Sequence, residues 1–379
     1  MMTQRNAVQE AIETQNLSLN YYTFWDRSTF LPFDQPLKSD LLLGEVWKIR
    51  QATFLGFDLK ISEKEPKLYL DSRFQDSINK FLKLSSVERK QFTEYPPFRI
   101  WLRKSARIAN IDSVNDKSKK QYLKSSLLTL GRITREWHES KNNDNMISGT
   151  EIQLFRYDVD PLIAESVPPS YSFPGPDKKS QLEQASEATY KFSFFMEVLT
   201  VALDRIKHTW PQAYDEFKKF VKIIIHLPDA QFRSCSAERY SGVILLSADD
   251  SSLLDLEESL IHEYGHQILY NVMEIDPLIE NPSKENYKLP WSGSIRDFYG
   301  YFHAFYIYIL LVHYFELTEN HLKAERKRAM KRLMQILRGL VVALPDIEAT
   351  NNFTLRGREL FEFLKEDVQK LKSTYKHLL

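Results

Sequence analysis

The sequence predicts a mainly helical α+β protein with a small β-sheet beside one long helix that carries two histidines. Three observations support this fold class. The 379-residue chain contains only 11 glycines. Long segments rich in Leu, Lys, Glu and Phe favour helices. The clearest strand candidates are two short runs bounded by turn residues, VKIIIHL at 221–227 and SGVILLS at 241–247, which are typical of buried strands.

The first half of the chain predicts amphipathic helices. Apolar residues recur at steps of three and four over 37–60, 74–93 and 116–140, which is the spacing of one helix face. The segment EIQLFRYDV at 151–159 alternates between apolar and polar residues, and this alternation predicts a strand.

The segment VPPSYSFPGPDKK at 167–179 marks a boundary. Its four prolines and one glycine cannot continue a helix or a strand. We therefore divide the chain into a helical N-terminal region, 1–170, and a metal-binding catalytic region, 171–379. The N-terminal region would serve either as a binding region for a peptide or as a scaffold.

The second half begins with a helix at 181–208, followed by the two strand candidates. Ser252 and Asp255 have the Ser-x-x-Asp spacing of a capping box, so the next helix should begin near residue 252. Further predictions are a proline-containing loop at 276–294, an apolar helix at 298–315, a loop at 343–352 and a C-terminal helix from 355.

Composition excludes several classes of protein. Lysine plus arginine equals aspartate plus glutamate, 51 each, so no overall field favours nucleic acid or an anionic membrane. The single cysteine, Cys235, excludes an intramolecular disulfide framework and fits a reducing cytoplasm. The N-terminus lacks a signal-peptide pattern. Because His303 and His313 interrupt the apolar segment 298–315, we interpret it as a buried helix rather than a membrane span.

The stretch LEESLIHEYGHQIL at 256–269 predicts part of a metal site. His262 and His266 lie four residues apart, so on a helix their imidazoles can bind one ion. Glu263 lies about 100° further round the helix, which suits a group beside a metal-bound water. In zinc hydrolases with this spacing, the glutamate is the general base.

A third ligand is needed, and the sequence leaves several candidates. The metzincin spacing would require a histidine at the position of Val272, so that class is excluded. Glu316 and Glu319 would suit a thermolysin-like arrangement, and His303 is the other choice. Beside a metal pair, a histidine in the middle of an apolar helix is best interpreted as a ligand.

Arg296 distinguishes between hydrolysis and oxidation. It precedes His303 by seven positions, so both would share one face if the helix already runs there. A buried arginine is well suited to binding a carboxylate in a bidentate manner. An oxygenase that consumes a 2-oxo acid needs such a group. The alternative is a surface arginine paired with Asp297.

The segments SGVILLS, LEESLIHEYGHQILYNV, LPWSG, RDFYGYFHAFYIY and FTLRGRELFEFL together resemble the HEXXH-motif peptide-modification family. The resemblance covers about residues 240–365 and does not extend over the first 200. The family pattern includes Arg-Pro-x-x-Gly-x-x-His, which Arg296, Gly300 and His303 match. Asp297 replaces the usual proline, which weakens the match at Arg296.

The resemblance implies an Fe(II)- and 2-oxoglutarate-dependent enzyme that hydroxylates the β-carbon of a side chain in a ribosomally made precursor peptide. It implies His262, His266 and His303 as iron ligands and Arg296 as the anchor of 2-oxoglutarate. Glu263 would orient a ligand or a bound water, and aromatic residues of 298–308 would wall the site.

Two alternatives remain open on the residues alone. One is a zinc metallopeptidase with Glu263 as general base, and the other is a binding protein without chemistry. The basic segment 323–338 is expected to be a solvated helix face rather than a nucleic-acid site. The expected partner is a peptide, with no nucleic acid and no membrane, and the oligomeric state is not predicted.

Overall fold

The structure is a computed structural model, and it describes most of the chain. The described residues are 25–33, 35–64, 72–110, 116–140, 146–155, 161–166, 181–227, 233–247, 252–280, 286–321, 323 and 325–378. The predicted boundary at 167–179 and the chain's first 24 residues lie outside them. Within these ranges the mainly helical α+β class is confirmed.

The structure contains the predicted helices in their predicted order, together with others that the sequence patterns did not indicate. They are α1 (Arg27–Phe30), α2 (Ser39–Lys64), α3 (Ser72–Lys83), α4 (Ser86–Glu94), α5 (Pro96–Asn110), α6 (Asp116–Ser140), α7 (Pro161–Ser166), α8 (Gln181–Thr209), α9 (Pro211–Phe220), α10 (Leu253–Ile275), α11 (Phe298–His321), α12 (Arg326–Glu348) and α13 (Leu355–Thr374).

The strands form a four-stranded sheet and a hairpin. They are β1 (Gln153–Phe155), β2 (Ile223–His226), β3 (Ser234–Cys235), β4 (Val243–Leu246), β5 (Tyr287–Lys288) and β6 (Ile295–Arg296). The sheet order is β1-β2-β4-β3. β1 is parallel to β2 and β2 to β4, whereas β3 is antiparallel to β4. β5 and β6 pair antiparallel.

The sheet separates two hydrophobic cores. Ile224 and Ile244 face a core that includes much of α10, α11 and α12, whereas Ile223 and Val243 face a core built largely from α2 to α6. Successive strand residues point to opposite faces, so β2 and β4 are apolar on both sides, as their continuous apolar runs predicted. β1 comes from the N-terminal region, which therefore contributes to the sheet beside α10.

The two helices of the predicted site form as their sequences indicate. α10 begins after Ser252, whose hydroxyl oxygen accepts from the Asp255 N–H while the Asp255 side chain accepts in return. This confirms the predicted capping box. α11 has buried residues on all sides for most of its length, as its apolar sequence requires. Within the ranges given above, no helix combines the length and apolarity needed to cross a membrane.

Three local predictions were wrong. The helix predicted over 74–93 is interrupted, because Ser85 and Glu88 form a capping box that starts α4. The loop predicted at 343–352 is mostly helix, since α12 continues to Glu348 with Pro345 inside it. The buried side chain of Ile347 keeps this last turn packed in the core. The loop predicted at 276–294 contains strand β5 of the hairpin.

Candidate metal centre

The candidate centre is built where α10 crosses α11. A Cβ atom on Gly265 would lie 3.0 Å from Leu310 Cδ1 and 3.1 Å from Ile307 Cγ1, so the absence of a side chain lets the helices approach closely. Gly265 directly precedes His266, and Ile307 lies one helical turn after His303. The crossing therefore places His303 beside the histidine pair of α10.

The three predicted ligands form one cluster. The ring centroids of His262 and His266 are 5.0 Å apart, and those of His266 and His303 are 5.9 Å apart. An imidazole nitrogen bound at about 2.1 Å puts its ring centroid about 3.2 Å from the ion, so two rings in tetrahedral positions have centroids about 5 Å apart. These two centroid distances are thus close to the distance expected for ligands that share one ion.

The ring nitrogens do not yet converge on one point. In the described part of the chain, no group of three or more His, Cys, Asp or Glu side chains is arranged to hold a metal ion. However, His266 Nδ1 and His303 Nε2 are buried without a hydrogen-bond partner among the described residues. Buried polar atoms are nearly always satisfied. The donor set therefore fits a metal, provided that the imidazoles rotate about their side-chain torsions.

Burial keeps the three imidazoles neutral, which is the form that binds metals. It lowers the pKa of His303 to about 3. Burial also lowers the pKa of His262, where the Glu263 charge opposes the shift. The pKa of His266 is lowered well below its usual value by burial and by its two histidine neighbours.

Glu263 is buried and already engaged. It is 1% exposed, and its Oε2 accepts a hydrogen bond of 2.5 Å from the Ser236 hydroxyl. The backbone carbonyl of Ser236 accepts in turn from the Tyr270 hydroxyl at 3.3 Å. The carboxylate is therefore held by the segment that follows β3. Its predicted catalytic role stays a prediction.

Arg296 does not lie on the helix of His303. It is exposed in strand β6, before α11 begins, so the shared helical face that its spacing suggested is wrong. Its stem packs near Gly300, where a Cβ atom would lie 3.2 Å from the Arg296 Cβ. Asp297 caps α11 instead, because its Oδ1 accepts from the Gly300 N–H at 2.9 Å. The role of Arg296 as an anchor stays a prediction.

Aromatic rings surround the histidines. Tyr299 stacks on His303 with centroids 4.2 Å apart, and Tyr270 stacks on His266 at 5.7 Å. Tyr308 lies 6.0 Å from His262, edge to face. Tyr299 and Tyr308 belong to the segment predicted to wall the site. Tyr270 was not predicted, although its position four residues after His266 could have indicated it.

Trp291 packs on Tyr308, the ring that lies beside His262. Its ring stacks on Tyr308 at 4.4 Å, and its Nε1 donates to the Ile336 carbonyl at 3.0 Å. A Cβ atom on Gly339 would lie 2.2 Å from Trp291 Nε1, so glycine is required where the indole packs on α12. The loop LPWSG thus supports Tyr308 against the candidate centre.

Glu316 is engaged elsewhere. Its Oε1 accepts from the Tyr375 hydroxyl at 3.0 Å, and its Oε2 lies 3.2 Å from His313 Nδ1. These contacts are with the residue that follows α13 and with a turn of α11 more than two turns beyond His303. The side chain of Glu319 lies outside the described residues. Of the third-ligand candidates with a described side chain, His303 is therefore the one in the cluster.

Comparison with known proteins does not assign the chain to a family. No model of a protein family matches it, and no curated protein is significantly similar to it.

Proposed function

We propose that the protein is an Fe(II)- and 2-oxoglutarate-dependent oxygenase that hydroxylates the β-carbon of a side chain in a ribosomally made precursor peptide in the cytoplasm. The observation that carries this proposal is the cluster of His262, His266 and His303, with two buried ring nitrogens that have no partner among the described residues. The resemblance to the HEXXH-motif peptide-modification family favours oxidation over hydrolysis.

The three histidines would hold the iron. Imidazole nitrogen is a suitable ligand for Fe(II), and burial keeps all three rings in the neutral form. With iron, 2-oxoglutarate and O2 bound, the centre would replace a C–H bond of the peptide by C–OH and release succinate and CO2. The peptide gains one oxygen atom, and the second oxygen enters succinate.

The surrounding side chains would orient the ligands and exclude water. Tyr299 and Tyr270 cover the faces of His303 and His266, which restricts the positions these imidazoles can take. Glu263 is held by Ser236 and would orient a ligand from the outer side of the centre. Arg296, which is exposed on β6, would reach the carboxylate of 2-oxoglutarate from the surface.

A zinc metallopeptidase is the second candidate. It is favoured by Glu263, which follows His262 directly and has a buried carboxylate beside the cluster. In that reaction Glu263 would take a proton from the attacking water. The same carboxylate accepts a short hydrogen bond from Ser236, so it would have to keep its second oxygen for the water.

Anaerobic reconstitution with Fe(II) distinguishes the two candidates. After addition of 2-oxoglutarate and air, we expect succinate to form, with and without candidate peptides. His303→Ala should lower both iron content and succinate yield. The matched control is His313→Ala, because His313 lies on the same helix but packs at a tilt against Phe33, with centroids 3.8 Å apart, outside the cluster.

Peptide cleavage with zinc in the absence of succinate formation would contradict the oxygenase. Loss of that cleavage in Glu263→Gln would then establish the peptidase instead. Unchanged iron content in His303→Ala would remove His303 from the ligand set.

A further inference from the structure

A cavity of about 270 Å³ lies between α2, α5, the turn before β4 and the C-terminal part of α10. Its lining is rich in charge. The charged lining residues are Arg50, Arg99, Arg103, Arg239, Glu238 and Glu274. Four guanidinium groups therefore face two carboxylates, and the lining has a formal surplus of two positive charges.

The two carboxylates are already paired with other arginines. Arg50 donates to both oxygens of Glu274, at 2.7 Å each. Arg103 donates to the side chain and the carbonyl of Glu238. The Glu274 carboxylate is thus bound in a bidentate manner, and the Glu238 carboxylate accepts from Arg103 through one oxygen. The positive surplus therefore falls on Arg99 and Arg239.

Arg99 is the buried member of the surplus pair. Its side chain is only 10% exposed, and its nearest carboxylate oxygen, on Glu274, is 3.6 Å away. Its hydrogen bond of 2.6 Å goes to the uncharged Ser241 hydroxyl. Burial and the neighbouring charge of Arg50 lower the pKa of Arg99 to about 9, although the carboxylates of Glu274 and Glu94 oppose the shift. A buried guanidinium whose charge these carboxylates offset only in part would be stabilised by an anion in the cavity.

The cavity adjoins the candidate metal centre. Tyr270 lines the cavity, and its ring lies 5.7 Å from His266 and 6.0 Å from His303. Ser241, which binds Arg99, also donates to Gln267 Oε1 at 3.4 Å. Gln267 follows His266 directly on α10. Arg99 is thus two hydrogen bonds away from the helix that carries the ligands.

We propose that this cavity binds the carboxylate group of a ligand whose other end reaches the histidine cluster, with Arg99 as its principal partner. The planar guanidinium can bind both oxygens of a carboxylate at once. The carboxylate site rests on the cavity and its arginines. The role of the bound carboxylate in a hydroxylation reaction rests on the proposed function.

Two molecules of that reaction can carry such a carboxylate, namely 2-oxoglutarate and an acidic residue of the peptide. In the first case Arg99 takes the role that the sequence assigned to Arg296. In the second case it selects peptides with an acidic residue near the modified position.

The test is isothermal titration of the metal-free full-length protein. The probes are glutarate, 2-oxoglutarate, inorganic phosphate and two capped tripeptides that differ only in a central glutamate or glutamine. We expect a dicarboxylate or the glutamate peptide to bind, and to bind at least tenfold more weakly to Arg99→Gln. Arg132→Gln is the matched control, because Arg132 pairs with Glu136 on α6, outside the cavity.

The choice of probes and variants shows which molecule supplies the carboxylate. It also separates failure of the carboxylate site from failure of the oxygenase proposal. Binding of both dicarboxylates indicates the oxo acid, and binding of the glutamate peptide alone indicates the substrate. His303→Ala should bind the carboxylate as well as the wild type, even if iron and turnover are lost. These titrations therefore test the carboxylate site even if the oxygenase proposal is rejected.

Three results would overturn the carboxylate site. They are no binding of any carboxylate probe by the wild type, phosphate binding as tight as carboxylate binding, and unchanged carboxylate affinity in Arg99→Gln. If Arg99→Gln does not fold by circular dichroism, Arg239→Gln replaces it, because Arg239 is exposed at the surface. Unchanged affinity in a folded Arg239→Gln would then overturn the proposed charge surplus.

Discussion

Gly265 offers a direct test of how the helix crossing builds the candidate centre. An alanine Cβ at this position would lie 3.0 Å from Leu310 Cδ1 and 3.1 Å from Ile307 Cγ1. Both neighbours are fully buried, so they have little room to move away. Forcing an extra methyl group into a packed core costs about 1–3 kcal/mol.

The same substitution also brings a gain. Alanine is a better helix former than glycine by about 1 kcal/mol. Gly56→Ala is the matched control, because Gly56 lies within helix α2 and a Cβ atom there would meet nothing within 4 Å. It should stabilise the protein by about 1 kcal/mol. The difference between the two variants therefore isolates the clash, and we expect Gly265→Ala to be the less stable by about 1–3 kcal/mol.

Urea unfolding followed by circular dichroism measures this difference. The second readout is iron content after reconstitution, because a shift of α11 away from α10 would also separate His303 from His266. We expect Gly56→Ala to retain the iron content of the wild type and Gly265→Ala to lose part of it. Equal free energies of unfolding for the two variants would refute the close crossing as the feature that builds the site.

Two further predictions concern other buried groups. Burial raises the pKa of Glu257 to about 7, although Arg205 at 2.5 Å and a hydrogen bond from a tyrosine hydroxyl oppose the shift. The protonated Glu257 carboxyl therefore contributes to stability below pH about 4.5, and this contribution is lost as the pH rises to about 7. Glu257→Gln should flatten the dependence of the melting temperature on pH between 4.5 and 7.5. An unchanged slope in thermal melts would argue against the raised pKa. Ser236→Ala removes the hydroxyl that donates to the buried Glu263 carboxylate and should cost about 1–3 kcal/mol. Ser125→Ala, at an exposed site on α6, should cost less than about 0.5 kcal/mol. Equal losses in urea unfolding would contradict a stabilising role for the Ser236 hydrogen bond.

Residues that are close in sequence were sufficient to predict structure where a segment is stabilised by contacts within itself. Ser252 and Asp255 specify the start of α10, since a capping box involves residues only three apart. The break at Ser85 has the same kind of signal, with Glu88 three residues later, and could have been predicted. Asp297 likewise caps α11, so its position could have shown that Arg296 precedes the helix.

Long-range packing accounts for what local signals did not show. Pro345 would normally end a helix, but buried Ile347 holds the last turn of α12 in the core. The position of His303 beside His266 depends on the crossing at Gly265. The arginines of the cavity come from α2, α5 and the segment before β4, and no spacing along the chain brings them together.

The origin of those arginines bears on the role of the N-terminal region. Arg50 and Arg99 both lie before residue 171, whereas Glu274 and the histidines lie after it. A scaffold needs each buried cation to be balanced within its own contacts, as Arg50 is by Glu274. Arg99 is balanced less closely, by an ion pair of 3.6 Å with the same Glu274, and a buried charge that is only partly compensated costs stability unless a ligand offsets it. A peptide-binding or ligand-binding role for the region would therefore be supported by loss of carboxylate affinity in Arg99→Gln, and a purely structural role by loss of stability alone.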